Sequence, residues 1–184
     1  MPHSVCPWWL GYFLASPLRG LQYKPAQILA PYVREGMTVL EPGPGMGFFT
    51  LELARRVGPA GRVVAVDIQP KMLAGLKRRA ARAGLLARLE IRQVKPDSLE
   101  IADLAGAIDF VLAFAVVHEL PSVHSFFRQV AQAMKPGARL LLGEPAGHVK
   151  PALFQAELES AALAGLAVTE RPVIRRSLSV VLTR

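Results

Sequence analysis

The chain has 184 residues, 52% of them hydrophobic and 20% charged, which excludes a disordered polymer and fits one domain with a sizeable core. Its formal net charge of +8, from 22 basic and 14 acidic residues, permits attraction to nucleic acid, acidic substrates or an anionic membrane surface but says nothing about fold. The single cysteine, Cys6, excludes an intramolecular disulfide and suits a reducing compartment.

The first segment carries Trp8, Trp9, Tyr12 and Phe13, with Leu10, Phe13, Leu14 and Leu18 at helical spacing until Pro17 limits the helix. No basic cluster precedes it and Pro7 and Pro17 interrupt it, so a signal peptide is not expected. No apolar run reaches membrane-spanning length, and the expectation is a cytoplasmic protein. The two tryptophans also suit weak contact with a membrane surface. His3 and Cys6 have metal-compatible chemistry, but two ligands do not complete a tetrahedral site, and no metal is expected. Residues 1–24 are read as a separate N-terminal cap and residues 25–184 as the domain proper.

Lys24 to Val33 predicts a helix. Val39 and Leu40 then end a buried strand, and Glu41-Pro42-Gly43-Pro44-Gly45-Met46-Gly47-Phe48 follows before a second apolar helical pattern through Leu53, Ala54 and Val57. Alternate glycines permit backbone angles closed to other residues and remove Cβ atoms that would block a ligand. The spacing separates two cofactors. A dinucleotide turn wants G-x-G-x-x-G over a pyrophosphate. Here the spacing is G-x-G-x-G, and Phe48 stands where that third glycine belongs. Glu41 at the strand end would repel phosphate and suit an ammonium group. S-adenosylmethionine has an amino group and a sulfonium and no phosphate, so it fits.

Arg62 to Asp67 is nearly all apolar, as a strand covered on both faces of a parallel sheet should be. It ends in Asp67, placed to accept hydrogen bonds from ribose hydroxyls, and Ile68 follows where an adenine ring could lie against it. The next helix turns Met72, Leu73, Leu76, Ala80 and Ala83 inward and carries Lys71, Lys77, Arg78, Arg79 and Arg82, the densest basic cluster of the chain. It reads as a solvated face or, alternatively, an RNA-binding patch, although no interleaved aromatics support stacking on bases. Arg88 to Val94 alternates like a more exposed strand and leads to Lys95-Pro96-Asp97-Ser98-Leu99. Ile108 to Phe114 is a fourth strand, followed by Ala115-Val116-Val117-His118-Glu119. His118 and Glu119 are the nearest groups able to move a proton at neutral pH. Val123, Phe126, Phe127, Val130 and Met134 form a core stripe. Met134 to Ala138 reads as a turn before a strand at Leu140 to Leu142, which ends at Glu144 with His148 on the same loop. A last helix, 149–165, turns Leu153, Phe154, Leu158, Ala161 and Ala162 inward. Two strands, Leu166 to Ile174 and Ser177 to Thr183, close the chain.

From about Pro25 onward these motifs, in this order, resemble the class I S-adenosylmethionine-dependent methyltransferases of small-molecule type. The resemblance implies a doubly wound α/β domain: a seven-stranded, mostly parallel sheet with a C-terminal antiparallel hairpin and helices on both faces. It implies that Glu41 reaches the methionine end of the cofactor, and that Gly43, Pro44, Gly45 and Gly47 let it approach the backbone. Asp67 would hold the ribose, with Ile68 beside the base. Asp97 and Ser98 would meet the adenine, with Phe114 facing cofactor or substrate. The N-terminal segment would act as a lid. The expected reaction is methyl transfer to a small-molecule acceptor, lipid-like acceptors included, leaving S-adenosylhomocysteine. Such a transfer rests mostly on positioning, so no catalytic residue is diagnostic, and His118 and Glu119 stand as candidates only. The acceptor pocket would draw on the N-terminal aromatics, Phe114, His118, Glu119 and Glu144. Phe114-Ala115-Val116-Val117 stands where the family's N-P-P-Y-like motif for methylating bases or proteins would be. An RNA methyltransferase, an NAD-dependent oxidoreductase and a non-catalytic S-adenosylmethionine-binding protein remain as alternatives.

Overall fold

A computed structural model describes residues 23–184. Residues 1–22 of the segment expected to form an N-terminal cap, with His3, Cys6, Trp8 and Trp9, lie outside the described residues. Seven strands form a mostly parallel sheet that is antiparallel at its C-terminal strands, with helices in the crossovers, as the sequence predicts. The chain divides into two compact units at Val94/Lys95, and each is taken in turn.

In the first unit, helix α1 (Pro25–Leu29) precedes β1 (Thr38–Pro42), α2 (Thr50–Val57), β2 (Arg62–Asp67), α3 (Pro70–Arg82) and β3 (Leu89–Gln93). The strand order is β3-β2-β1. Both pairings are parallel, with Leu40 beside Val64 and Ala65 beside Ile91. The central β2 is buried from Val63 to Asp67, whereas β3 is half-buried, which explains why β2 is a continuous apolar run and β3 alternates. Helix α2 buries Leu53, Ala54 and Val57 and presents Glu52 and Arg55 outward. Helix α3 starts with Pro70, whose missing N–H is no loss in a first turn. Leu73 and Leu76 of α3 pack with Ala65, against Leu89 and Ile91. Ala83, expected inward, is instead exposed, because α3 ends at Arg82 and the chain leaves the helical register there.

In the second unit, β4 (Ile108–Phe114) leads through a 3-10 turn, Val117–Glu119, to α4 (Val123–Ala133), β5 (Met134–Pro145), α5 (Pro151–Leu163), β6 (Ala167–Glu170) and β7 (Ser177–Thr183). The order is β4-β5-β7-β6. β5 lies parallel to β4 and antiparallel to β7, and β7 pairs antiparallel with β6. Ile108, Leu112, Leu140, Leu141 and Leu142 are fully buried, each worth roughly 1.5–3 kcal/mol relative to exposure. Ser122 caps α4 by accepting the Ser125 N–H at 3.3 Å.

Three expectations are corrected here. Residues 134–138 belong to β5 rather than to a turn, with Met134 already paired to Ile108. β6 stops at Glu170 because Pro172 follows and offers no N–H to a ladder. In α5, Leu153 is 48% exposed and Ala162 is also exposed, while Glu157 is 1% exposed. The buried stripe therefore runs Phe154, Glu157, Leu158, Ala161. Among the described residues, no helix is long and apolar enough to cross a membrane.

Candidate functional site

The first unit builds its site at the ends of β1 and β2. After Pro42 the chain turns through Gly43 (φ 66°), Gly45 (φ 55°) and Gly47 (φ 87°), left-handed angles that side chains with a Cβ rarely adopt. The Gly43 N–H donates to the Val66 carbonyl at 2.9 Å, and the Gly47 N–H to the Pro44 carbonyl at 2.9 Å. Two of the glycines serve different purposes. A Cβ on Gly47 would sit 2.5 Å from Leu76 Cδ1, so this position lets the turn pack on α3. A Cβ on Gly45 would meet nothing within 4 Å, so its bareness answers no internal packing need.

A cation from α3 fixes the same turn. Arg79 Nη1 donates to the Met46 carbonyl at 2.6 Å, and the Met46 side chain lies where a Cβ on Gly75 would be, 2.8 Å from its Cγ. Burial lowers the pKa of this guanidinium from its ordinary value. Arg88, at the far end of the same basic region, donates from Nη1 to the Ala54 carbonyl at 3.0 Å. Both cations serve the fold, a role the charge pattern did not reveal.

Asp67 ends β2 with 9% of its surface exposed. Its Oδ1 accepts the Gln69 N–H at 2.9 Å. Burial raises its pKa, opposed by backbone N–H groups of Gln69, Gly45 and Ile68. Turn and strand end therefore converge, with Gly45 and Asp67 in hydrogen-bonding relation. Glu41 is 4% exposed on β1, and Ile68 is half-buried directly after Asp67. These groups fit a nucleoside carrying an amino group: an acid for ribose hydroxyls, a second acid for a cation, and an open place at Gly45.

The second unit assembles a different site beyond β4 and β5. Phe114 is buried, and its ring occupies the space of a Cβ on Gly143, which would lie 2.5 Å from Phe114 Cε2. Ala115 is held left-handed at φ 58° while its N–H donates to the Gly143 carbonyl at 2.7 Å. A non-glycine residue there stores of order 1–3 kcal/mol of strain. The chain then turns at Val117–Glu119 and delivers His118 to Glu144. Glu144 Oε2 lies 2.6 Å from His118 Nδ1, and Oε1 accepts the Val117 N–H at 2.9 Å. Glu144 has no exposed surface.

Glu119 Oε1 is 3.9 Å from His118 Nε2, and the His148 ring stands edge-on to the His118 ring with centroids 5.0 Å apart. For His118, burial opposes the charged ring. The Glu144 hydrogen bond and charge, followed by Glu119 and Glu157, outweigh burial and raise its pKa. Glu157 reaches this group from α5. Both its carboxylate oxygens are buried without a hydrogen-bond partner. Burial, then the Glu144 charge, push its pKa up to about 8, against the opposing pull of His118.

The structure thus brings His118, Glu144 and His148 together, with Glu119 at the edge. It adds Glu157, which the sequence reading missed. The signal for Glu157 was present: it falls three residues after Phe154 and four before Ala161, on the buried stripe. Asp97 is exposed in a turn closed by the Ser98 N–H and Lys95 carbonyl at 3.3 Å. Ser98 Oγ lies 3.4 Å from Gln129 Oε1, which also accepts the Leu99 N–H at 2.9 Å.

A family model described as a methyltransferase domain matches residues 33–170. A protein of Klebsiella pneumoniae named ubiquinone/menaquinone biosynthesis C-methyltransferase UbiE is 30% identical over 112 residues, covering 61% of this chain and 44% of that protein. The match thus spans less than half the length of that curated relative. Among solved structures, a SAM-dependent methyltransferase from Aquifex aeolicus superposes with a TM-score of 0.85 at 23% identity, over 97% of this chain and 98% of that one. A putative methyltransferase, solved in complex with the Haloferax volcanii Trm112 methyltransferase activator, gives 0.73 at 19% identity, over 98% and 99%.

Proposed function

Since the chain belongs to the methyltransferase domain family, with S-adenosylmethionine as its cofactor, we propose that it transfers the cofactor's methyl group to a small-molecule acceptor. The observation that carries the cofactor side is the convergence of the left-handed glycine turn with Asp67 at the end of β2. Asp67 would accept the ribose hydroxyls, its carboxylate already oriented by the Gln69 N–H. Gly45 would let the nucleoside approach the backbone, with Gly43 and Pro44 shaping the entry. Glu41 would receive the amino group and Ile68 would lie against the base. When bound, S-adenosylmethionine supplies an electrophilic methyl group on a sulfonium that leaves as a neutral thioether. The chain's task is then to hold, align and keep water away.

Two features support a small acceptor. The segment after β4 reads Phe114-Ala115-Val116-Val117, with no amide side chain to grip an exocyclic amino group. The Klebsiella relative is named for C-methylation in ubiquinone/menaquinone biosynthesis, which supports an acceptor of small-molecule size.

Calorimetric titration with S-adenosylmethionine, S-adenosylhomocysteine and NAD tests the reading. The first two bind and NAD does not. Asp67→Ala weakens binding by about 10- to 100-fold, the cost of a lost charged hydrogen bond. Binding of NAD alone would overturn the assignment and return the glycine turn to a phosphate role.

A further inference from the structure

We infer that Glu144 is a positioning residue that holds His118 as its Nδ1–H tautomer and so presents Nε2 as the atom that takes a proton from the methyl acceptor. This rests on the methyltransferase reading above and extends it to the acceptor's chemistry.

Geometry carries the inference. A carboxylate only accepts hydrogen bonds, so the ring nitrogen 2.6 Å from Glu144 Oε2 is the donor. The other carboxylate oxygen is engaged by the Val117 N–H at 2.9 Å, one residue before His118. Glu144 thus grips the ring and the backbone that carries it. Glu144 itself cannot swing away, because it is fully buried and its strand is paired, with Glu144 opposite Leu178. In the neutral ring Nε2 is then the lone-pair nitrogen. The nearest acidic oxygen to it, Glu119 Oε1 at 3.9 Å, is beyond hydrogen-bonding distance.

The surrounding charges suit a proton acceptor. Among the described residues, the groups facing His118 are Glu144 from β5, Glu119 from its own turn, His148 from the loop after β5, and Glu157 from α5. Glu157 is neutral below about pH 8, so Glu144 is left as the one fully buried carboxylate beside the ring. An imidazolium formed there is balanced chiefly by Glu144, with Glu119 adding a weaker attraction from the edge. This parallels the logic of base-assisted enzymes in which a buried acid orients a histidine.

The acceptor atom, X–H, forms a bond to the methyl carbon as the carbon–sulfur bond breaks, its electron pair remaining on sulfur. The proton from X–H passes to His118 Nε2, and the imidazolium later releases it to solvent. The acceptor class follows: its reacting atom carries a proton that water at neutral pH does not remove, either a hydroxyl or an acidic C–H. A thiolate or a tertiary amine would not need this dyad.

The test is long-range proton–nitrogen NMR on the full chain with labelled histidine, using His118→Gln for assignment and Glu144→Gln as the perturbation. The expected result has Nδ1 protonated and Nε2 bare in the neutral wild-type ring. The His118 titration midpoint lies above that of free imidazole and falls by at least about one pH unit in Glu144→Gln, the usual effect of losing a close opposite charge. A bare Nδ1, or a midpoint unmoved in Glu144→Gln, overturns the inference. The wild-type tautomer decides the matter even if the variant does not fold. Calorimetry with S-adenosylmethionine on the same samples separates the two readings. Failure of the wild-type chain to bind removes the methyltransferase premise and the proton-acceptor role with it. Binding together with a bare Nδ1 overturns only the dyad.

Discussion

The glycine turn of the first unit and the histidine–glutamate cluster of the second reach order by opposite routes. The turn is built from neighbours in sequence: Gly43 to Gly47 adopt their angles locally, and the Gly47 N–H closes on Pro44. The cluster is built from residues far apart, His118 and Glu144 being separated by 26 positions and Glu157 arriving from a further helix. The turn leaves an open place at Gly45, whereas the cluster buries Glu144 and Glu157 almost completely. A binding loop can therefore be written as a motif, but a proton-handling group has to be assembled by the fold.

The largest effect that would sharpen this contrast concerns Glu157. Its pKa is pushed up to about 8 from an ordinary 4.5, so the folded state holds a proton that the unfolded chain releases. The sign follows from linkage. Below pH 4.5 both states are protonated and the group costs nothing. As pH rises toward 8 the unfolded chain is progressively favoured, and above about 8 the loss levels off. The integrated loss is on the order of 5 kcal/mol. Glu157→Gln removes that slope. Chemical denaturation at pH 5 and pH 8 should show wild type losing more stability between the two than the variant, whose remaining slope comes from the raised pKa values of His118 and Asp67. Parallel slopes would mean that the acid is solvated and the cluster is not a closed interior group.

The second effect separates two glycines of the turn. Gly47→Ala drives a Cβ to 2.5 Å from Leu76 Cδ1 at a φ of 87°, and overpacking with left-handed strain should cost about 2–4 kcal/mol of stability. Gly45→Ala meets open space at φ 55° and should cost only about 1 kcal/mol, while reducing S-adenosylmethionine affinity more than Gly47→Ala does relative to its stability loss. Thermal melts paired with calorimetry check both. Equal stability losses would show that Gly45 also packs internally.

How much of this was legible follows the same division. The sheet was readable because β2 is an uninterrupted apolar run and the C-terminal hairpin has two strands around Arg175-Arg176. The turn was readable because its glycines alternate within one short loop. Glu144 and His118 could be placed at strand ends from the pattern alone, but their 2.6 Å approach depends on the register that sets β4 beside β5, with Phe114 opposite Gly143. Glu157 was hidden because α5 is apolar on several faces: Leu153 and Ala162 looked as suitable for the core as the acid looked unsuitable. The length of β5 was underread because Pro136 and Gly137 signal a turn, yet the strand passes through them with Gly137 at φ 75°.

The smallest effect tests whether the turn is as local as its motif suggests. Arg79 belongs to a helix whose charges read as a solvated face, yet Nη1 donates to the Met46 carbonyl at 2.6 Å. A charged donor to a partly buried carbonyl is worth about 1.5–3 kcal/mol when its removal leaves the acceptor unpaired, and the exposed remainder of the guanidinium brings the expected cost toward the lower value. Arg79→Met keeps the apolar stem and removes the donor. Stability should fall by about 1.5 kcal/mol, and S-adenosylmethionine affinity should fall a fewfold through loosening of Met46 between Gly45 and Gly47. Arg79→Lys restores charge without the planar fork and should recover only part of the loss, because a lysine ammonium does not reproduce guanidinium geometry. If Arg79→Met binds cofactor as wild type does, the glycine turn holds its shape unaided and the motif alone accounts for it. If binding falls while the fold persists, the turn too is completed by a distant residue, and the contrast with the histidine–glutamate cluster becomes one of degree.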